Sequence, residues 1–410
     1  MIRDKYLDIK KLIKNKKILR LFLVVARHGG ILRFVGGAVR DALMNIEGAD
    51  LDLATDLSPD ELVEACNEEG INTVAIGIKY GTVGVIIDDT LLEVTSLRKD
   101  IKTDGRHAEV EFTDNWETDA SRRDLTINAV YADEKGNVFD YYNGIEDLEK
   151  GVVRFIGSAD KRIKEDYLRI LRFFRFYSIF GKGSPDKKAL KACIENREGL
   201  KKLPMERIRE ELFKLLMTSK AVETIKIMLE NNILSYVMPD CQYVENLDFL
   251  KKLFSGRILP SKSLLYFFIL YQPDEILADN LATRLRFSKK EKQKFVKWAT
   301  IKTSIEELTN PLSLKHLAYE HGKDFCLEKL LLVTAKNKEE IPDFWNVYAN
   351  IEKTEVPEFP IRGKDLLDKV TKSEQIGKLL QYYENLWKES DFTLSKDDLL
   401  SLKYSKVSGE

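Results

Sequence analysis

Phe34-Val35-Gly36-Gly37-Ala38-Val39-Arg40-Asp41, followed downstream by Asp50-Leu51-Asp52-Leu53-Ala54-Thr55, is the stretch on which the reading of this chain turns. A strand running into two glycines and then a helix leaves backbone N–H groups bare at a helix N-terminus, where missing Cβ atoms let an anion approach closely. Arg40, one turn in, adds a fork of donors to the same anion. A Gly-Gly turn taken alone often does no more than turn the chain. The aspartates supply the second half of the pattern. Residues two apart on a strand face the same way, so Asp50 and Asp52 project from one face while Leu51 and Leu53 pack behind. Two like charges that close repel each other unless a cation sits between them. Mg²⁺ suits the pair, because it binds through one or two carboxylates plus substrate phosphates. In a two-ion scheme one ion activates an attacking hydroxyl and the other holds the leaving phosphate oxygens. The alternative is a solvated strand of alternating polarity; the position directly after a phosphate-cradle turn favours the metal.

Outward from this stretch, short β-like runs occur at Leu32–Val35, Asp50–Ala54, Thr73–Ile76, Gly81–Ile87, Leu91–Ser96, Leu125–Tyr131 and Val138–Tyr141. Helical patterns intervene at Ala38–Asn45 and Pro59–Glu69, which predicts a small sheet domain. After Gly151 the strands stop, and from Ala159 the apolar residues recur at helical spacing. The fold class expected is α+β: a sheet domain followed by an all-helical arm.

The 410 residues carry 66 Lys and Arg against 67 Asp and Glu, a net charge of -1, and 44% are apolar, enough for several cores and against disorder. No run approaches the roughly eighteen apolar residues of a membrane span. Met1–Arg20 has a helical pattern and acidic residues, unlike a signal or transit peptide. Cys66, Cys193, Cys241 and Cys326 lie far apart without metal-site spacing, so buried free thiols and a reducing, cytoplasmic compartment are expected. Between Arg284 and Lys302 eight basic residues face only Glu291, with Phe287, Phe295 and Trp298 interleaved: a solvated helix face, or a phosphate-tracking patch if the first domain handles nucleotides.

Two further clusters bear on chemistry. Arg122-Arg123-Asp124-Leu125-Thr126-Ile127-Asn128-Ala129 places two arginines and an aspartate at the start of an expected strand. Beside a triphosphate the arginines become charge clamps, and Asp124 is placed to accept from a ribose hydroxyl. In Glu165–Phe176 the apolar stripe Tyr167, Ile170, Leu171, Phe174 marks a packed helix, on which Asp166, Arg169, Arg172 and Arg175 follow at steps of three. An ordinary ion pair with two solvated arginines is the alternative.

With all three clusters in view, the chain resembles the tRNA nucleotidyltransferase and poly(A) polymerase family of the polymerase-β superfamily, in its bacterial and mitochondrial class. The matching elements are Gly36–Asp41 with Asp50–Asp52, Asp104–His107, Arg122–Ala129, Glu165–Phe176 and Met205–Leu212, in the family's order. The resemblance implies a catalytic head (1–150), a helical neck that reads the base (151–218), a helical body (219–310) and a tail that holds tRNA (311–410). It also implies Asp50 and Asp52 as catalytic Mg²⁺ ligands, with Glu93 a third candidate, and Gly37, Arg40 and Arg123 at the triphosphate. Asp166 and Arg169 would read the incoming base, with Arg172 and Arg175 nearby. A carboxylate accepts from the amino group of cytosine or adenine and a guanidinium donates to the ring nitrogen, whereas uracil and guanine present a carbonyl there. The expected reaction is addition of CCA to tRNA from CTP and ATP. The alternatives are A addition, poly(A) synthesis, or an RNA-binding descendant without catalysis. The segment between Arg98 and Arg122 resembles the family's flexible loop.

Overall fold

The computed structural model describes residues 12, 18–46, 51–103, 108–255, 257, 262–338, 341–369 and 373–402. The chain divides into two compact units, Met1–Cys241 and Gln242–Glu410. The boundaries expected at 150 and 218 fall inside the first unit and that at 310 inside the second.

In the first unit, α1 (Ile18–Arg27) and β1 (Leu32–Val35) precede α2 (Gly37–Leu43), β2 (Asp52–Thr55) and α3 (Pro59–Glu68). There follow β3 (Asn72–Gly77), β4 (Thr82–Ile87), β5 (Thr90–Ser96), β6 (Arg98–Thr103), β7 (Ala108–Phe112), α4 (Trp116–Arg122), β8 (Val130–Ala132) and β9 (Val138–Asp140). Helices then take over: α5 (Gly144–Lys150), α6 (Ala159–Glu165), α7 (Leu168–Phe180), α8 (Lys187–Asn196), α9 (Met205–Leu216) and α10 (Ala221–Glu230). Seven strands form one sheet in the order β3-β4-β5-β2-β1-β8-β9. Its β2–β5 pairing is parallel and sets Asp52 beside Glu93.

Local chemistry explains the elements. Ser58 and Glu61 close a capping box around Pro59 at the start of α3. α1 buries Ile18, Leu21, Phe22, Val24 and Val25, a stripe that packs with α3 over one face of the sheet, against Phe34, Leu53, Val83 and Val94. Val35 and Ala54 point to the other face, into a cluster with Trp116 and Tyr131. Asp52 lies two residues before Ala54 and so emerges on this second face.

One sequence expectation is corrected. Leu125–Tyr131 is not one strand: Leu125 makes a single bridge to Phe155, Thr126–Asn128 form a 3₁₀ turn, and β8 begins at Val130. Short polar side chains cause this, because Thr126 donates to Asp147 at 2.6 Å and Asn128 to Asp124 at 3.0 Å instead of serving a ladder. The segment from Arg98 to Arg122 holds the antiparallel pair β6–β7 followed by α4 capped at Asn115; Asp104–His107 lie outside the described residues.

The second unit contains α11 (Val244–Leu253), α12 (Ser263–Tyr271), α13 (Glu275–Arg284), α14 (Lys289–Thr300), α15 (Ile305–Thr309), α16 (Pro311–His321), α17 (Lys323–Asn337), α18 (Phe344–Lys353), α19 (Ser373–Glu389) and α20 (Lys396–Ser401). α12 is apolar all round, with Leu265 through Tyr271 buried. The aromatic residues of the basic stretch belong to this core. Phe295 stacks edge-on against Phe268 at 5.1 Å, Trp298 against Phe268 at 5.6 Å and Phe287 against Phe295 at 5.3 Å. Phe295 and Trp298 are buried and so present no platform for bases. Among the cations, Lys292 pairs with Asp279, while Lys294 and Lys262 both reach the buried Glu328; Arg284, Arg286, Lys289 and Lys290 are exposed. Among the described residues no helix is long and apolar enough to cross a membrane, and all four cysteines are buried and free.

Glu328 also accepts from Trp298 Nε1 at 3.1 Å. In Glu328→Ala the two lysines can turn to water but the buried indole N–H cannot, so the variant should lose about 2 kcal/mol in urea unfolding.

Candidate active site

The strand ends of the second sheet face, α2, α4 and α7 enclose a cavity of about 740 Å³. Its walls bring together Gly37, Arg40, Asp52, Arg123, Asp124, Asp166, Arg169, Arg172 and Arg175, gathered from four separate parts of the sequence. Asp50 lies outside the described residues. Arg98, Asp100, Arg122, Asn128, Phe176 and Lys214 complete most of the lining.

At the glycine turn Gly36 caps α2 with φ 64°, a left-handed backbone that favours glycine. A Cβ there would lie 3.4 Å from Arg123 Nη1, so the guanidinium seats against the bare turn. Arg40 is buried; it donates from Nε to Asp41 at 2.8 Å and from Nη1 to the Asn128 amide oxygen, over the rings of Phe176 and Phe180. Burial lowers its pKa, against the pull of Asp41.

The Arg122–Arg123 pair is organised by Asp119, which the sequence reading passed over although its i,i+3 and i,i+4 spacing to the arginines was a signal. Arg122 Nε donates to Oδ1 at 2.8 Å, Arg123 Nη2 to Oδ2 at 3.1 Å, and the Tyr131 hydroxyl to Oδ2 at 2.7 Å. Burial alone would raise the pKa of Asp119, but Arg123, Arg122 and the Tyr131 hydroxyl prevail and hold it at about 2. Arg98 is pushed down to about 10 by burial and by Arg122. Nothing in the sequence around Arg98 marked it for the cavity.

Asp124 was expected at a ribose hydroxyl, but its oxygens are engaged within the protein. Oδ2 accepts from Arg172 Nε at 2.7 Å, and Oδ1 from Asn128 Nδ2 at 3.0 Å and from the Leu125 amide at 2.9 Å. Burial opposes its ionisation, yet Arg172 and these hydrogen bonds hold its pKa well below the usual carboxylate range.

Asp166 is not on the helix with the arginines. It has extended backbone, φ -155° and ψ 107°, between α6 and α7, and its partner is Arg207 of α9 rather than Arg169. Arg169 is held by Glu165 at 2.6 Å and by the Arg162 carbonyl at 3.1 Å. Arg175 donates to Glu211 of α9 at 2.6 Å. Eight basic side chains and five acidic ones line the cavity, so its lining carries a net positive charge suited to an anion. The cations around it are held in place by hydrogen bonds before any ligand arrives, which is electrostatic preorganisation.

Comparison with known proteins assigns the chain. The family described as "Poly A polymerase head domain" matches residues 32–154, and that described as "Probable RNA and SrmB- binding site of polymerase A" matches residues 184–244. Human mitochondrial CCA tRNA nucleotidyltransferase 1 is 35% identical over 381 residues, covering 90% of this chain and 86% of that one. The chain belongs to the tRNA nucleotidyltransferase family. Two solved members share its fold. The CCA-adding enzyme of Bacillus stearothermophilus in complex with CTP has 21% identity and a TM-score of 0.76, covering 93% of this chain and 94% of that one. The Thermotoga maritima CCA-adding enzyme complexed with tRNA has 19% identity and a TM-score of 0.61, covering 95% and 96%. As in the family, a polymerase-β-like sheet head precedes a helical body.

In the folded protein, burial, which raises the pKa of Asp119, is outweighed by Arg123, Arg122 and the Tyr131 hydroxyl, which hold it at about 2 against an ordinary value of 3.8. Its stabilising contribution is therefore complete above about pH 4 and lost as the pH falls toward 2, on the order of 2 kcal/mol. Urea unfolding between pH 7 and pH 3 should show Asp119→Asn less stable at neutral pH and flatter in its acid limb. An acid limb parallel to that of the unsubstituted protein would contradict the pairing.

Proposed function

We propose that this protein adds CCA to the 3′ ends of tRNA from CTP and ATP, without a nucleic-acid template. The observation that carries the reading is the presence of Asp166 and Arg169 on the wall of the cavity that also holds Asp52, the glycine turn and the arginines. A base-reading acceptor and donor thus share one cavity with a carboxylate suited to phosphoryl transfer. The CCA addition ascribed to the human relative, and the CTP and tRNA bound by the two solved relatives, support the same substrates.

The residues take the following roles. Asp52 and Glu93, side by side on β2 and β5, offer hard oxygen donors that fit Mg²⁺, and Asp50 is assigned to the same ions from the sequence motif alone. When bound, two Mg²⁺ ions would lower the pKa of the attacking 3′-hydroxyl and neutralise charge at the leaving pyrophosphate. Gly37 and the Gly36 turn leave room for the triphosphate. Arg123 presents Nη1 beside that turn, and Arg40, with part of its fork engaged by Asp41 and Asn128, keeps donors for phosphate. Asp166 accepts from the amino group of cytosine or adenine and Arg169 donates to the ring nitrogen; the carbonyl of uracil or guanine meets lone pairs. Asp124 acts by aiming Arg172, and Glu211 by aiming Arg175. The 3′-hydroxyl attacks the α-phosphate in line, and pyrophosphate leaves.

We further assign a head over 1–150, a neck over 151–218, a body over 219–310 and a tail over 311–410. The exposed Arg284, Arg286, Lys289 and Lys290 contact tRNA phosphates in this reading. The compartment is the reducing cytoplasm, consistent with four buried thiols.

Purified protein with Mg²⁺ should extend tRNAs lacking CCA, or ending in C or CC, and stop once CCA is complete. Extension of CC-ending tRNA alone would indicate an A-adding enzyme, and open-ended A tails on unrelated RNA a poly(A) polymerase. Asp52→Ala, at an exposed position, should abolish incorporation while tRNA binding in a filter assay persists; retained incorporation would remove Asp52 from the metal site.

A further inference from the structure

Helix α9 carries Arg207, Glu211 and Lys214 at steps of four and three, which sets them along one helix face. That face backs the cavity. Lys214 lines it, and Glu211 accepts from Arg175 Nε at 2.6 Å and lies 3.7 Å from Arg172 Nη1. Arg207 reaches Asp166 with both arms of its fork, Nη2 to Oδ2 at 2.7 Å and Nη1 to Oδ1 at 3.3 Å. The Leu168 amide donates to Oδ1 as well, at 3.1 Å. Asp166 sits in extended backbone between two helices. Helical packing therefore does not set its side-chain torsions, and its hydrogen-bond partners do. Among the described residues those partners are Arg207 and the Leu168 amide.

We propose that Arg207 is a positioning residue that determines nucleotide specificity by locking the Asp166 carboxylate. The inference rests on the base-reading role of Asp166 given above. An ionised carboxylate has about four lone-pair positions and no proton to donate. Arg207 and Leu168 fill three, and the one left on Oδ2 accepts a single amino N–H of the incoming base. A fork-to-fork pair also fixes the plane of the carboxylate, which a point-like cation does not. Without Arg207, Asp166 can rotate and take on a water molecule. A water donates one proton to Asp166 and the other to a carbonyl, so it would bridge to uracil as readily as the carboxylate meets cytosine. Arg169 is held separately by Glu165, so the loss of Arg207 leaves the donor half of the reader in place.

The test compares Arg207→Ala, Arg207→Lys, Asp166→Ala and the Arg207→Ala/Asp166→Ala double variant on tRNA lacking CCA, with kcat/KM measured for CTP and UTP. Arg207→Ala should lower the CTP-to-UTP ratio by at least about tenfold, the size of one lost specificity contact of 1.4 kcal/mol. Arg207→Lys, which keeps the charge but not the fork, should fall between. The double variant should match Asp166→Ala alone, because a residue that acts only through Asp166 adds nothing once Asp166 is gone. If Arg207→Ala is poorly folded by circular dichroism, Arg207→Lys and the corresponding double variant carry the same comparison. An unchanged ratio in Arg207→Ala, beside a lowered one in Asp166→Ala, overturns the positioning role and leaves base reading intact. Additive effects in the double variant overturn it too. An unchanged ratio in Asp166→Ala overturns the base-reading role itself, and this inference with it.

Discussion

Arginines crowd around one cavity in this structure, and they stay there because buried carboxylates stand behind them. Two like charges about 4 Å apart repel by roughly 4 kcal/mol at the effective dielectric of a protein surface. Asp119 answers Arg122 and Arg123, Asp124 answers Arg172, and Glu211 answers Arg175, with Arg172 close by. Each carboxylate is itself buried, so each pair is mutually dependent: removing either member strands the other. The result is a set of cations whose directions are settled before a triphosphate arrives.

The same pairs join the sheet to the helices of the first unit. Asp124 follows the sheet-side helix α4, and Arg172 stands on α7; Arg169 also reaches back to the Arg122 carbonyl at 3.4 Å. The face that carries Asp52 and the helix that carries Arg169 are thus fastened through the cavity wall. A nucleotide in that cavity has its phosphates and its base measured against one packed body, and the geometry of one end constrains the other.

Much of this was legible in the linear sequence where the deciding physics is local. β1 spans Leu32–Val35 as its apolar run suggested, and the helical pattern expected over Pro59–Glu69 is α3, Pro59–Glu68. The glycine turn after β1 could be read because φ 64° at Gly36 is a demand made by a single residue. The misreadings share a cause. Periodicity placed Asp166 on the helix of Arg169, but the helical path breaks at Asp166, whose backbone is extended, and its carboxylate pairs with Arg207, some forty residues away. The basic stretch reads as a solvated face or a phosphate-tracking patch with aromatics interleaved, but Phe295 of α14 packs against Phe267 and Phe268 of α12 and belongs to the core. Thr126 and Asn128 left the strand pattern because Asp147 and Asp124 accept from them.

By itself the sequence determined the order and kind of the elements, the glycine turn, the acidic pair and the arginine-rich motifs, since caps, turns and apolar spacing act within a few residues. Asp119 with Arg122 and Arg123, and Glu165 with Arg169, pair at helical spacing that the sequence shows; only the tertiary structure decided that Asp124 holds Arg172, Glu211 holds Arg175 and Arg207 holds Asp166. Ion pairs are chosen by distance and burial in space, and a chain can close the loop between distant partners at an entropic cost that grows only slowly with their separation. Spacing along the chain therefore shows which charges exist, and packing selects their partners.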